Sequence, residues 1–147
     1  MGDKTEDASA VRTARAIRVT IGRLRRRILN VNDAADITLS QASVLARLSQ
    51  NGPATASDLA AVEGVRPQSM ATTVAALSRL GLVERHPDPD DGRKRLVTLT
   101  DPGRERAEGD RAARQAWLAR VLEERCTESE RQMIVKAMAV LEKLIEP

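Results

Sequence analysis

The sequence predicts a mostly α-helical domain with a small β-hairpin, and three observations support this fold class. Apolar residues recur at intervals of three and four through most of the chain, which is the period of a helix with one buried face. Thr followed three residues later by Gln, Asp or Glu, a spacing that caps helix N-termini, occurs at breaks in that period. Residues 82–100 differ, because two short runs of β-type residues flank a turn rich in Asp, Pro and Gly.

Length and composition place the chain among small one-domain proteins. Its 147 residues suffice for one core, so we expect a single domain spanning 1–147, and the lack of Phe and Tyr makes that core aliphatic. No apolar run approaches the roughly 20 residues of a membrane span, and the polar start does not resemble a signal peptide. The single cysteine, Cys126, cannot form an intramolecular disulfide. These features predict a cytoplasmic protein without a membrane partner.

The first predicted helix follows apolar positions from Val11 to Val31 and ends within 30–33. Its outer face is rich in arginine, and no acidic residue lies between Ala8 and Asn32. Arginine suits bidentate contacts with phosphate and guanine, so this pattern suggests a polyanionic partner, although a solvated helix face would have the same pattern. The arginines of this stretch are Arg12, Arg15, Arg18, Arg23, Arg25, Arg26 and Arg27.

Capping and helix-breaking residues define the remaining elements. They predict a second helix from Thr38 to residues 51–53, a third from Thr55 to Gly64, and a fourth from Pro67 to Gly81, with an inward stripe of Met70, Val74, Leu77 and Leu80. Strands are predicted at 82–86 and 93–100, around a turn at 87–92. Two closing helices are predicted at about 102–124 and 127–145.

The third and fourth predicted helices have the outline of a helix-turn-helix, in which the second helix enters the major groove of DNA. An ordinary helical hairpin is the alternative. The outer face of the fourth helix distinguishes them, because it presents Gln68, Ser69, Thr72 and Thr73 where an exposed helix usually has Lys and Glu. Neutral hydrogen-bonding side chains suit base edges and phosphates. The segment therefore favours double-stranded DNA as the partner.

The predicted hairpin has basic residues directly after its acidic turn, at Arg93, Lys94 and Arg95. This arrangement is typical of the wing of a winged helix, because arginine suits the negative potential of a narrow minor groove. With this segment included, the sequence resembles the multiple antibiotic resistance regulator (MarR) family. The resemblance is carried by Leu39-Ser40-Gln41-Ala42-Ser43-Val44-Leu45, Leu77-Ser78-Arg79-Leu80-Gly81-Leu82-Val83-Glu84-Arg85, Asp88-Pro89-Asp90-Asp91-Gly92-Arg93 and Leu99-Thr100-Asp101-Pro102-Gly103.

The resemblance implies a winged helix-turn-helix at about 37–100, flanked by long dimerisation helices at about 8–32 and 102–146. It implies a homodimer that binds a palindromic operator, and we expect a sequence-specific transcriptional repressor, not an enzyme. Arg93 would enter the minor groove, with Asp91 as the carboxylate that orients it. Thr73 falls where such helices usually have an apolar residue, so we expect it to be partly buried. The expected DNA-binding residues are Arg66, Gln68, Ser69, Thr72, Thr73, Asp91, Arg93, Lys94 and Arg95.

Effectors of this family commonly sit between the dimer helices and the winged domain, so we expect a small molecule to release the repressor. An anionic aromatic ligand there would meet Arg18, Arg23 or Arg25, although a structural role for these arginines is the favoured expectation. No cofactor is expected. Family members that sense peroxide have a cysteine in the first helix, and this chain has none there.

Other functional classes fit the residues poorly. A calcium loop begun at Asp88 would need its bidentate Glu at position 99, which is Leu99. A metal sensor would need several clustered ligands, but His86 and Cys126 are forty residues apart. No catalytic set of residues can be assembled. The remaining alternative is a protein interaction module whose winged region does not bind DNA. The salt dependence of binding distinguishes a DNA-binding regulator from a protein interaction module, because only the affinity for DNA falls steeply with ionic strength.

Overall fold

A computed structural model describes residues 3–31 and 36–145 of the chain, with side chains from residue 8 onward. The elements are α1 (Asp3–Leu29), α2 (Leu39–Asn51), β1 (Ala54–Thr55), α3 (Ala56–Glu63), α4 (Pro67–Arg79), β2 (Val83–Pro87), β3 (Arg95–Leu99), α5 (Asp101–Arg125) and α6 (Glu128–Glu142). The predicted fold class is therefore confirmed. Of the predicted end of the first helix, residues 32 and 33 lie outside the described residues, as does residue 146 of the last.

The predicted helix starts are confirmed by their hydrogen bonds. Thr38, Thr55 and Thr127 each form a capping box, accepting a hydrogen bond from the N–H three residues on while that residue's side chain accepts from the Thr N–H. The start of α5 is capped by Thr100, whose hydroxyl accepts a hydrogen bond from the N–H of Gly103. These are local interactions within four residues, which is why sequence spacing reveals them.

The sheet is small and antiparallel, in the order β1-β3-β2. Val83 pairs with Leu99 at its base and Pro87 with Arg95 at its outer end. The two-residue strand β1 was not predicted, because one of its residues, Thr55, is also the N-cap of α3. The predicted strand 93–100 is shorter in the structure, since the N–H groups of residues 93 and 94 bond to Asp91 within the turn.

The core lies between α2, α3, α4, the sheet and the start of α5. Its most buried side chains are Val44, Leu45, Leu59, Val74, Leu77 and Val97, so it is aliphatic as predicted. Leu80 was wrongly predicted to point inward, because it is 49% exposed. The helix ends at Arg79, and the positive φ of Gly81 turns the chain so that Leu82 packs against the core instead.

The last helix, α6, is shorter than predicted and adds no residue to the buried core. It ends at Glu142, because the N–H groups of Leu144 and Ile145 bond three residues back and tighten the final turn. None of its described residues is fully buried, and most of its large apolar side chains are exposed, whereas Leu141 is partly buried. Among the described helices, none is both long enough and apolar enough to cross a membrane.

Candidate nucleic-acid interface

A tight turn sets the angle between α3 and α4. Gly64 takes the left-handed conformation, with φ 66° and ψ 31°, and the N–H of Val65 donates to the carbonyl oxygen of Ala60 at 3.0 Å. Helix α4 then begins at Pro67, and Arg66 supplies no side-chain cap. The amide groups of the first turn of α4 are consequently available to an anion, which is the property that phosphate binding at a helix start requires.

The buried side of α4 determines which of its residues face outward. Met70, Val74 and Leu77 pack into the core, at intervals of four and three. Gln68, Ser69 and Thr72 are exposed, and Gln68 and Thr72 lie on the side opposite this stripe. The structure thus brings these three predicted residues onto one open surface, which we call the recognition face.

The two threonines of α4 differ in exposure. Thr72 is exposed and its hydroxyl donates to the carbonyl oxygen of Gln68 at 3.1 Å, while Thr73 is partly buried and donates to the carbonyl oxygen of Ser69 at 3.1 Å. Partial burial of Thr73 was predicted. Both hydroxyls satisfy their donors within the helix and keep acceptor lone pairs. Thr72 can therefore accept from a base amino group without breaking a bond that it already has.

Arg79 lies on the same side of α4 as the recognition face and was not predicted as a site residue. It lies seven residues after Thr72, two helical turns further along the same side, and is exposed. The helical period alone would have identified it. An exposed arginine at this end of α4 is a cation of the kind that binds phosphate.

The turn between β2 and β3 is held by aspartate side chains that bond to the backbone. The Oδ1 atom of Asp88 accepts from the N–H of Asp90 at 2.9 Å, and the Oδ1 atom of Asp91 accepts from the N–H of Arg93 at 3.1 Å. The N–H of Lys94 donates to the carbonyl oxygen of Asp91 at 2.9 Å. In the described structure Asp91 therefore contacts the backbone of Arg93, and no ion pair joins it to the Arg93 guanidinium.

The basic wing residues lie beside the start of α3. Arg93, Lys94 and Arg95 are all exposed and line a cleft of about 410 Å³ with the first turn of α3. The hydrogen bond from Thr55 holds the pKa of Asp58 below its ordinary value, and the charge of Lys94 lowers it further. Arg93, Lys94 and Arg95 thus place positive charge beside the start of α3.

A second cleft, of about 380 Å³, separates α1 from α2 and α5. Of the predicted effector residues, Arg25 lines it, and Arg18 and Arg23 do not. Arg47 and Arg114, which were not predicted, also line it, and the Nε of Arg114 is buried without a hydrogen-bond partner. The apolar side of this cleft, which we call the interhelical cleft, is formed by Ile21, Leu24, Ile28, Leu29 and Ala46.

His86 lies on β2 of the wing hairpin, where it pairs with Leu96, and Cys126 lies at the far end of α5. His86 is exposed, with its Nε2 atom 3.0 Å from Oε1 of Glu84 on the same strand. Cys126 is the partly buried C-cap of α5. Within the described ranges, no group of three or more His, Cys, Asp or Glu side chains is arranged to hold a metal ion.

Comparison with known proteins agrees with this geometry. The model of the MarR family matches residues 37–94. An HTH-type transcriptional regulator of Mycobacterium bovis is 36% identical over 94% of this chain and 96% of its own, and one of Mycobacterium leprae is 39% identical over 75% and 77%. The crystal structure of apo MarR from Escherichia coli has a TM-score of 0.73 and 28% identity over 91% of this chain and 96% of that one. The chain belongs to the MarR family of winged helix-turn-helix, DNA-binding transcriptional regulators, which are not enzymes.

Proposed function

We propose that the chain is a homodimeric repressor that binds a palindromic operator and is released by a small organic anion. The observation that carries the DNA part is that α4, with its uncharged and exposed recognition face, packs against the hairpin that carries the exposed basic wing. The recognition face enters the major groove, where Gln68 pairs with adenine and Ser69 and Thr72 contact base edges or phosphates. Arg93 enters the minor groove, with Asp91 fixing the backbone that presents it.

The remaining predicted residues act as phosphate contacts or as support. Arg66, at the cap position of α4, and Lys94 and Arg95, on the wing, are exposed cations. Such contacts fix the register on the duplex and supply affinity that depends on salt. Thr73 supports the helix through its bond to Ser69. Selecting bound fragments from the host genome and footprinting them tests the proposal, because a MarR-type operator should appear as two inverted half-sites.

The homodimer is supported by apolar surface that the single chain leaves open. Helices α1 and α6 both expose large apolar side chains: Val11, Val19, Ile21, Leu24, Met133, Ile134, Val135, Met138 and Val140. Patches of this kind on a small protein mark an interface. In a two-fold arrangement, the α1 and α6 helices of a second copy cover α1 of the first copy. The second copy also supplies a recognition face for the second half-site.

The full chain is expected to sediment at twice its mass of 16.0 kDa at micromolar concentration. Met138→Glu should weaken the dimer by about tenfold or more, because it places an unpaired charge in the interface. Val62→Glu is the matched control, since Val62 is 58% exposed on α3, outside the proposed interface. Sedimentation equilibrium measures all three proteins. A folded wild-type monomer at these concentrations would contradict the homodimer.

The effector is proposed to bind in the interhelical cleft. That cleft combines an apolar side with three guanidinium groups, which suits a flat anion with an apolar ring. Arg114 is the best placed of the three, because its Nε lacks a hydrogen-bond partner while its Nη2 atom pairs with Oδ2 of Asp110 at 3.7 Å. Helices α1 and α2 flank the ligand, so its binding would shift the winged part relative to α1.

Benzoate serves as the probe for this cleft. We expect saturating benzoate to weaken operator binding by about tenfold, the usual scale of coupling between two sites. Arg114→Met should abolish that response, whereas Arg111→Met, an exposed neighbour on α5, should retain it. Fluorescence anisotropy of labelled operator measures the effect. An equal benzoate response in wild type and Arg114→Met would rule out this position for the ligand.

A further inference from the structure

Glu63 is the last residue of α3, one residue before the turn into α4, and its carboxylate joins three helices. Its side chain is only 10% exposed. It accepts hydrogen bonds from the Ser43 hydroxyl at 2.7 Å and from the Nε atom of Arg47 at 2.7 Å, both on α2. The Nη2 atom of Arg25, on α1, donates to both carboxylate oxygens at 3.1 Å. We call Arg25, Ser43, Arg47 and Glu63 the three-helix cluster.

Local chemistry does not favour a carboxylate at this position. The C-terminal end of a helix carries partial negative charge, which repels an acid there. Burial raises the pKa of Glu63, but hydrogen bonds from Ser43 and Arg47 and the charge of Arg25 outweigh it, so the pKa lies below its ordinary value. Residues from other helices thus keep the carboxylate ionised, and the position of Glu63 is determined by tertiary contacts and not by helix formation.

The cluster connects two parts of the molecule that otherwise share little packing. Helix α1 packs mainly against α2 and α5, and none of its side chains from residue 8 onward belongs to the buried core around the helix-turn-helix. Arg25 extends from α1 to Ser43 on α2 and to Glu63 at the end of α3. The Arg25 side chain is 50% exposed, so its contact with Glu63 lies at the protein surface. A rotation of the winged part about α1 would separate Arg25 from Glu63.

We propose that Arg25 and Glu63 are positioning residues that fix the angle between α1 and the helix-turn-helix, and thereby the distance between the two recognition faces of the dimer. This inference rests on the proposed homodimer on a palindromic operator. In such a dimer the α1 helices belong to the shared interface, and each α4 follows Glu63 after three residues. The cluster therefore determines which half-site spacing the dimer accepts.

Half-site spacing is the readout that a merely structural role would not change. Inserting one base pair between half-sites moves one of them by about 3.4 Å and turns it by about a tenth of a helical turn. A rigid dimer has to deform the DNA to contact both half-sites, whereas a dimer with a loosened joint adjusts its own angle. Loss of the contact between Arg25 and Glu63 should therefore reduce the penalty for a wrong half-site spacing more than it reduces the affinity for the natural operator.

The experiment uses the full chain and the operator selected by the wild type, with zero, one or two base pairs inserted at its centre. We expect the wild type to lose about tenfold or more in affinity on the first insertion, and Arg25→Gln and Glu63→Gln to lose about threefold or less. Arg26→Gln and Glu105→Gln remove the same charges at exposed positions of α1 and α5 and should keep the wild-type penalty. Arg25→Lys should restore part of the penalty, because one nitrogen of Arg25 makes all its contacts with the carboxylate.

The outcomes separate this inference from the function on which it rests. Urea unfolding of each variant establishes that it is folded, and Arg25→Gln alters a half-exposed side chain whose loss leaves the core intact. If Arg25→Gln and Glu63→Gln keep the wild-type spacing penalty, the positioning role is wrong while the proposed function stands. If the wild type selects no operator, or one without paired half-sites, the proposed function fails and the positioning role fails with it.

Discussion

Gly103→Ala is expected to destabilise the protein by on the order of 3 kcal/mol or more, which is a large share of the stability of a small domain. A Cβ atom at this position would lie 1.9 Å from the carbonyl oxygen of Leu82 and 2.9 Å from its carbonyl carbon. The obstructing atoms are backbone, so no side-chain rotation relieves the overlap. Helix α5 would have to move away from the corner between α4 and β2.

That corner is fastened to the start of α5 by hydrogen bonds that such a movement would break. The N–H of Thr100 donates to the carbonyl oxygen of Leu82 at 3.1 Å, and the Thr100 hydroxyl donates to the carbonyl oxygen of Gly81 at 2.6 Å. Each bond contributes about 1 kcal/mol. Gly109→Ala is the matched control, because a Cβ there meets nothing within 4 Å, and it should stabilise the exposed helix by up to about 1 kcal/mol.

Urea unfolding at one fixed protein concentration measures both glycine variants, since the stability of a dimer depends on concentration. We expect the free energy of unfolding to be lower than that of wild type for Gly103→Ala and higher for Gly109→Ala. Similar stabilities for the two variants would show that α5 moves freely at its start, contrary to the close approach of Gly103 and Leu82.

Local features of the fold could be predicted from residue spacing, whereas Gly103 could be recognised in the sequence only as part of a family motif. The capping boxes at Thr38, Thr55 and Thr127 depend on residues three positions apart, so spacing was sufficient. The close approach of Gly103 to Leu82 joins residues 21 positions apart in the chain. Only the packed structure shows it, although the family resemblance had already marked the glycine.

The residues of the candidate site also divide into those that the sequence could predict and those that it could not. Gln68 and Thr72 share an exposed face because of the helical period, which the sequence contains, and the same period would have identified Arg79. By contrast, the role of Arg25 depends on Glu63, which is 38 positions away and belongs to another helix. The acidic turn was correctly predicted as a turn, yet the contact of Asp91 with the backbone of Arg93 depends on local geometry that composition does not specify.

Arg93→Ala is expected to weaken binding to operator and to random DNA alike, by about 1 to 3 kcal/mol per subunit if the side chain enters the minor groove. The minor groove has a degenerate pattern of donors and acceptors, so its arginine contributes charge more than sequence information. The dependence of affinity on salt should also become shallower, because fewer counterions are released. Arg111→Ala removes the same charge from an exposed position on α5 and should change both quantities little.

Gln68→Ala should have the opposite profile, because Gln68 contributes hydrogen bonds without charge. We expect it to cost about 1 to 3 kcal/mol per subunit on the operator alone, with non-specific affinity and the salt dependence unchanged. Gln115→Ala, at an exposed position of α5, is its control. Equilibrium binding to operator and scrambled duplex at several salt concentrations compares all four variants. If Arg93→Ala lost only operator affinity while Gln68→Ala weakened both duplexes equally, α4 and the wing would have exchanged roles, and the proposed docking of α4 in the major groove would be wrong.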